Sequence, residues 1–195
     1  MDEILDTFYL QKRLEKTEKI PKNINEEVYI NNQLLIFERE NILDKFSLLI
    51  PTTIGEMPEM LRNIKYPELS ATTTLLTNED LTVNFSFEIY EDVITNEELF
   101  EKTNEFRNAL LQIKKTSKFE NIESLDEQNG CYFSFRQQVI DADIMHIVGY
   151  ILREDYYIKC TFNCLLAKYL MWEEIVILMW ETINKKKEEQ GDEYE

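Results

Sequence analysis

Glycine and proline are scarce, four of each in 195 residues, and histidine occurs once. So few turn formers exclude collagen-like and loop-dominated chains. Gly55, Gly130, Gly149 and Gly191 are too dispersed to form a glycine-rich phosphate cradle or a dinucleotide fingerprint. A lone His146 cannot supply a His-rich metal site or a relay between histidines. Basic side chains are also few. With 21 Lys and Arg against 38 Asp and Glu, the formal charge is −17, a field that repels phosphate backbones and anionic bilayers and attracts basic partners. Neither nucleic acid nor a membrane is expected as a partner. The longest apolar run, Ile175 to Trp180, falls far short of the roughly 20 residues a helix needs to cross a bilayer. The acidic start, Met1-Asp2-Glu3-Ile4-Leu5-Asp6, lacks the basic region and apolar stretch of a secretory leader. Three cysteines without paired spacing suit a reducing compartment. Together these absences predict a cytoplasmic protein.

What is present is a globular composition, 44% hydrophobic and 12% aromatic, in a length that suits one domain. An N-terminal extension is expected over residues 1–44, with a short helix around Ile4, Leu5 and Phe8. It ends in a hairpin joining Val28-Tyr29-Ile30 to Leu34-Leu35-Ile36-Phe37 through Asn31-Asn32. The core domain runs over 45–187, and residues 188–195, nearly all polar, form a solvated acidic tail.

Within the core, Phe46-Ser47-Leu48-Leu49-Ile50 reads as a strand ended by Pro51, and Met57 to Tyr66 as a short helix. The clearest β pattern is Leu81, Val83, Phe85, Phe87 and Ile89 alternating with Thr82, Asn84, Ser86, Glu88 and Tyr90, a strand with one buried face. It pairs with residues 71–77 through Asn78-Glu79-Asp80. The period then changes. Leu99, Thr103, Phe106, Leu110 and Ile113 follow helical spacing, and Thr95-x-x-Glu98 has the form of a capping box. Asn129-Gly130 marks a turn between residues 119–124 and 131–139. Strands follow at 144–152, apolar on both faces and therefore central, and at 156–164. A last helix spans Leu166 to Lys187, with Lys185-Lys186-Lys187 at the negative end of its dipole. The expected fold is α+β, a mainly antiparallel sheet covered by helices on both faces.

This order of elements, with Phe46–Pro51, Asn84-Phe85-Ser86-Phe87, and Thr161-Phe162-Asn163-Cys164 leading into Trp172, resembles the PsbP-like superfamily over about residues 45–187. That superfamily includes the oxygen-evolving photosystem subunit, a Ran-binding nuclear transport factor and bacterial DcrB-like proteins, among them small chaperones for secretion effectors. The resemblance implies an α/β/α sandwich that acts by binding proteins, as such families are mostly non-catalytic.

The chemistry-bearing residues point the same way. His146 alternates with Ile144 and Val148 and reads as a core or edge histidine hydrogen-bonded locally. Cys160 and Cys164 share a strand face at a spacing unsuited to a redox Cys-x-x-Cys. With Cys131 on a neighbouring strand and His146 they could be imagined around zinc, but no standard spacing is met, and buried apolar cysteines are expected. No metal, cofactor or catalytic residues are assigned. Glu88, Glu91, Asp92, Glu97, Glu98 and Glu101 form an acidic run without a base, read as a solvated segment, a docking surface for a basic partner, or a cation or catalytic site. In the last helix, Trp172, Ile175, Val176, Met179 and Ile183 face the sheet, while Leu166, Leu170 and Ile177 lie opposite, with Met171 and Leu178 to one side. That second apolar face is expected to be covered by the N-terminal extension through Ile4, Leu5, Phe8 and Tyr9, by a second copy in a homodimer, or by a client with an exposed apolar segment.

The candidate partner-binding residues are therefore Leu166, Leu170, Ile177, Leu178, Glu91, Asp92, Glu97 and Glu98. The leading expectation is a non-catalytic acidic protein-binding domain, a cytoplasmic chaperone or adaptor for a secreted protein. The alternatives are an immunity protein neutralising a basic toxin, and a hydrolase using carboxylates such as Glu91 and Asp92.

Overall fold

The computed structural model describes residue 24 and residues 27–30, 33–125 and 128–185. The helix expected in the first twenty residues, the covering role of Ile4, Leu5, Phe8 and Tyr9, the Asn31-Asn32 turn and the acidic tail lie outside the described residues.

Two antiparallel sheets carry the fold. The smaller contains β1 (Glu27–Ile30), β2 (Gln33–Ile42), β3 (Phe46–Pro51) and β12 (Asn184–Lys185) in that order. The larger has the order β4 (Ile54–Glu56), β5 (Thr74–Asn78), β6 (Val83–Tyr90), β11 (Tyr157–Leu165), β10 (Asp143–Leu152), β9 (Gly130–Gln138) and β7 (Lys118–Phe119). β8 (Glu123–Leu125) also pairs with β9. The helices are α1 (Glu59–Lys65), α2 (Asn96–Ile113) and α3 (Leu166–Glu181). This is an α+β fold with mainly antiparallel sheets.

The alternation expected from Leu81 holds in β6 only from Val83, since Leu81 sits in the preceding turn at φ 58°, and the strand is not buried on one face alone, because Asn84 and Ser86 are covered as well. Val83, Phe85 and Phe87 enter the main core with Ile147, Ile158, Phe162 and the α3 residues Trp172, Val176 and Trp180. Phe46 of the small sheet closes the same core, its ring 5.8 Å from that of Phe87. On the opposite face of the large sheet, α2 packs on β9 and β10 and buries Leu99 against Phe133, Val148, Tyr150 and Tyr157. The Thr95 side chain accepts from the Glu98 amide and the Glu98 carboxylate from the Thr95 amide, the reciprocal cap expected from the sequence. β10 lies between β9 and β11, buried on both faces.

Several expectations are corrected. The last helix stops at Glu181, short of Lys187, because other groups take the carbonyls that the next helical turn would use. Gln128 donates to the Glu181 carbonyl, Arg39 to that of Thr182 and Arg153 to that of Ile183. Asn184 and Lys185 then pair with Ser47 and Phe46, so Lys185 sits in a sheet and not at a helix dipole. Ile113 ends α2 beyond the sheet and is exposed. Cys131 lies on β9, with β10 between it and β11. Its thiol meets the Thr103 hydroxyl at 3.2 Å on the α2 face, whereas Cys160 and Cys164 face the α3 core. The three thiols therefore cannot converge, and burial pushes all three up, Cys164 to about 12. Among the described residues no helix is long and apolar enough to cross a membrane, and no group of three or more His, Cys, Asp and Glu is placed to hold a metal ion.

Candidate functional site

The face of the large sheet under α2 is only half covered. Strand register sets the side chains of β6, β11, β10 and β9 in rows across it. One row reads Asn84, Asn163, His146, Phe135, the next Ser86, Thr161, Val148, Phe133, and the third Glu88, Lys159, Tyr150, Cys131. Each row runs from polar on β6 and β11 to apolar or aromatic on β9. The gradient follows the cover, since α2 rests on β9 and β10 and leaves the β6–β11 half between itself and α1. A cavity of about 220 Å³ occupies that gap, walled by Tyr66 and Leu69 after α1 and by Phe106, Leu110 and Lys114 at α2.

The polar half is tightly bonded to itself. Asn84 is 2% exposed. Its Oδ1 accepts from Thr77 at 2.9 Å and Lys65 at 3.1 Å, and its Nδ2 donates to Asn163 at 3.0 Å. The Asn163 amide in turn donates to the Tyr66 hydroxyl at 3.1 Å. Burial lowers the Lys65 ammonium, partly offset by Asp80, and raises the Tyr66 phenol. One row on, Lys159 and Glu88 form an ion pair at 3.0 Å, both largely buried. The Lys159 ammonium lies 4.7 Å from the centre of the Phe106 ring, and the Glu88 carboxylate also accepts from Tyr90 at 2.8 Å.

The apolar half contains two groups that the fold serves poorly. The His146 ring stacks on Phe135, centroids 4.4 Å apart and planes within 5°. Its Nε2 is buried without a hydrogen-bond partner, where the sequence led us to expect a local one. Burial, with the nearby Lys114 charge, lowers its pKa to about 4, so the ring is neutral at pH 7. Lys114 donates to the Gln137 amide oxygen at 2.6 Å, and burial lowers its pKa. Among the described residues no carboxylate pairs with it.

The residues singled out from sequence lie elsewhere. Glu91 and Asp92 follow β6, and Glu97 and Glu98 open α2; all four are exposed. Glu91 accepts from Lys45 at 3.2 Å. Leu166, Leu170, Ile177 and Leu178 are half-buried on α3, on the other side of the large sheet, and all but Leu170 pack against the main core. The two sets do not form one surface. The groove is not visible in the sequence, because the polar members of each alternation, such as Asn84, Ser86, Thr161 and Asn163, look there like an ordinary solvated face. The signal available was that Lys159, Thr161 and Asn163 alternate with Cys160, Phe162 and Cys164 on a strand hidden within the sheet.

Two solved structures share this fold. The Ran-binding protein Mog1p of Saccharomyces cerevisiae superposes with a TM-score of 0.54 at 12% identity, over 77% of this chain and 95% of that one. The cyanobacterial PsbP (CyanoP) of Synechocystis sp. PCC 6803 gives 0.52 at 12% identity, over 76% and 92%. The chain has a PsbP-like fold. The resemblance read from its sequence thus holds at the level of fold, the common ground of proteins only 12% identical to it. A structure from Bacteroides thetaiotaomicron VPI-5482 matches 73% of this chain at a TM-score of 0.48 and 13% identity, and this chain spans 46% of its length. No protein-family model and no curated protein sequence matches the chain. In this PsbP-like sheet, the groove is framed by α1 and α2, and the acidic residues sit at the entry to α2.

Proposed function

We propose that this chain is a non-catalytic protein-binding domain that uses its acidic surface to select a basic partner, in the manner of a cytoplasmic chaperone or adaptor for a secreted protein. The observation that carries the reading is the composition of one exposed segment. From Glu91 to Glu101, five exposed acids, Glu91, Asp92, Glu97, Glu98 and Glu101, share the segment with Val93 and Phe100, which are 77% and 51% exposed. Exposed apolar side chains in a mostly acidic segment suit an interface that combines apolar contact with charge that steers association. The fold neighbour Mog1p, described as Ran-binding, supports a protein partner as the class. The alternating floor of the sheet offers no nucleophile beside a base, which favours binding over hydrolysis.

The test is capture of a partner from the source cells on immobilised wild type and on Asp92→Lys and Val93→Asp, each first checked for an unchanged melt. The reading expects a dominant basic protein, released as salt rises and held less by both variants. Recovery of no protein above background, or equal retention by both variants, would overturn it.

A further inference from the structure

The groove between α1 and α2 has a use that protein binding does not call for. Its walls and part of its floor are apolar, from Leu69, Leu75, Phe106, Leu110 and Val148, and its volume of about 220 Å³ exceeds the ~150 Å³ of a dry protein cavity that takes up benzene. The groove also has a charge imbalance opposite to that of the molecule. Lys159 is matched by Glu88, so Lys114 is left as a cation bonded, among the described residues, to the neutral Gln137 amide. Beside it, the buried Nε2 of neutral His146 has no hydrogen bond. A partly buried ammonium gains most from a carboxylate or phosphate, because charge-assisted bonds are the strong ones. One uncompensated positive charge matches one negative charge, which favours a carboxylate over a phosphate monoester carrying nearly two.

We propose that this groove binds a small monocarboxylate whose apolar body is about the size of one ring, its carboxylate on the Lys114 ammonium and its body against Leu75, Phe106 and Val148. The ligand enters along the open β6–β11 half of the sheet. Its head completes the partners of Lys114, and the ammonium so neutralised no longer disfavours a proton on the His146 ring.

The chain has one histidine, so its imidazole Cε1–H gives a single resonance that reports on the groove. The purified full chain is titrated at constant ionic strength with phenylacetate, with acetate, which has the head alone, and with benzyl alcohol, which has the ring alone. Phenylacetate should shift the resonance saturably, and the other two should bind at least about tenfold more weakly. Lys114→Gln should weaken phenylacetate by about tenfold or more while the His146 titration remains that of a buried ring. The proposal fails if phenylacetate gives no saturable shift, if benzyl alcohol binds as well, or if a folded Lys114→Gln variant binds phenylacetate unchanged. The three-ligand comparison decides the matter even if that variant does not fold.

Discussion

Replacing Gly149 by alanine tests how the main core is built around α3. Gly149 lies in the middle of β10, where Trp180 takes the space a side chain would fill. A Cβ there would sit 2.5 Å from Cζ3 and 2.9 Å from Cε3 of Trp180. Carbon atoms prefer about 3.5–4.0 Å, so the indole must retreat by roughly 1 Å. Trp180 has no exposed surface, and the ring is rigid, so the displacement passes to its neighbours. Overpacking of this kind costs about 1–3 kcal/mol, and the entropy lost from the unfolded chain returns about 0.4–1 kcal/mol. The expected net loss is about 1.3 kcal/mol, which lowers the melting temperature of a domain this size by roughly 3–5 °C. Urea unfolding followed by tryptophan fluorescence measures it, and a cycle with Trp180→Phe isolates the contact, since the smaller ring should remove most of the penalty. If Gly149→Ala matches wild type within about 0.5 kcal/mol, or costs as much in the Trp180→Phe background as with the indole in place, the packing argument is wrong.

His146 makes stability depend on pH. Its folded pKa of about 4 lies below the ordinary 6.5, so between those values the unfolded chain binds more protons than the folded one. Its contribution is complete above about pH 6.5 and falls as pH drops toward 4; the loss at pH 5 relative to pH 7.5 is about 2 kcal/mol. Urea midpoints of wild type and His146→Phe, which retains the stack on Phe135, should diverge by that amount over this interval, and parallel curves would refute the burial of the ring. Asn84→Leu removes the acceptor of Thr77 and Lys65 and the donor to Asn163. It should cost about 1–2 kcal/mol in the same assay, because the buried Thr77 and the half-buried Asn163 each lose a bond, while the exposed Lys65 can turn to water. A neutral result would mean that the network is not closed as described.

The parts of the fold legible in the sequence are those governed by local periodicity. The apolar positions Val83, Phe85 and Phe87 of β6, the helical spacing from Leu99 to Leu110 and the Thr95–Glu98 cap each state a local preference that packing later obeys. What was not legible depends on distant pairing. The end of α3 is set by Gln128, Arg39 and Arg153, residues 30 to 143 positions away from the carbonyls they reach, and no helical signal encodes them. The groove is hidden for the same reason. Asn84, Asn163, His146 and Phe135 form one row only after four strands have found their register, and until then each is a polar or aromatic residue in its own alternation. The acids after β6 were visible because they are contiguous, and they are exposed as a run without bases should be.

The pairing of Asn184 and Lys185 with Ser47 and Phe46 also sets the order of events during synthesis. The β2–β3 hairpin leaves the ribosome early, while the two-residue strand that completes the outer side of β3 is among the last described parts to emerge. Until then a nascent chain presents that row of amides and carbonyls to whatever strand comes near, the kind of open rim on which unfinished β proteins adhere to one another. Closing it with so short a piece leaves little for a stalled or clipped chain to lose before the rim opens again.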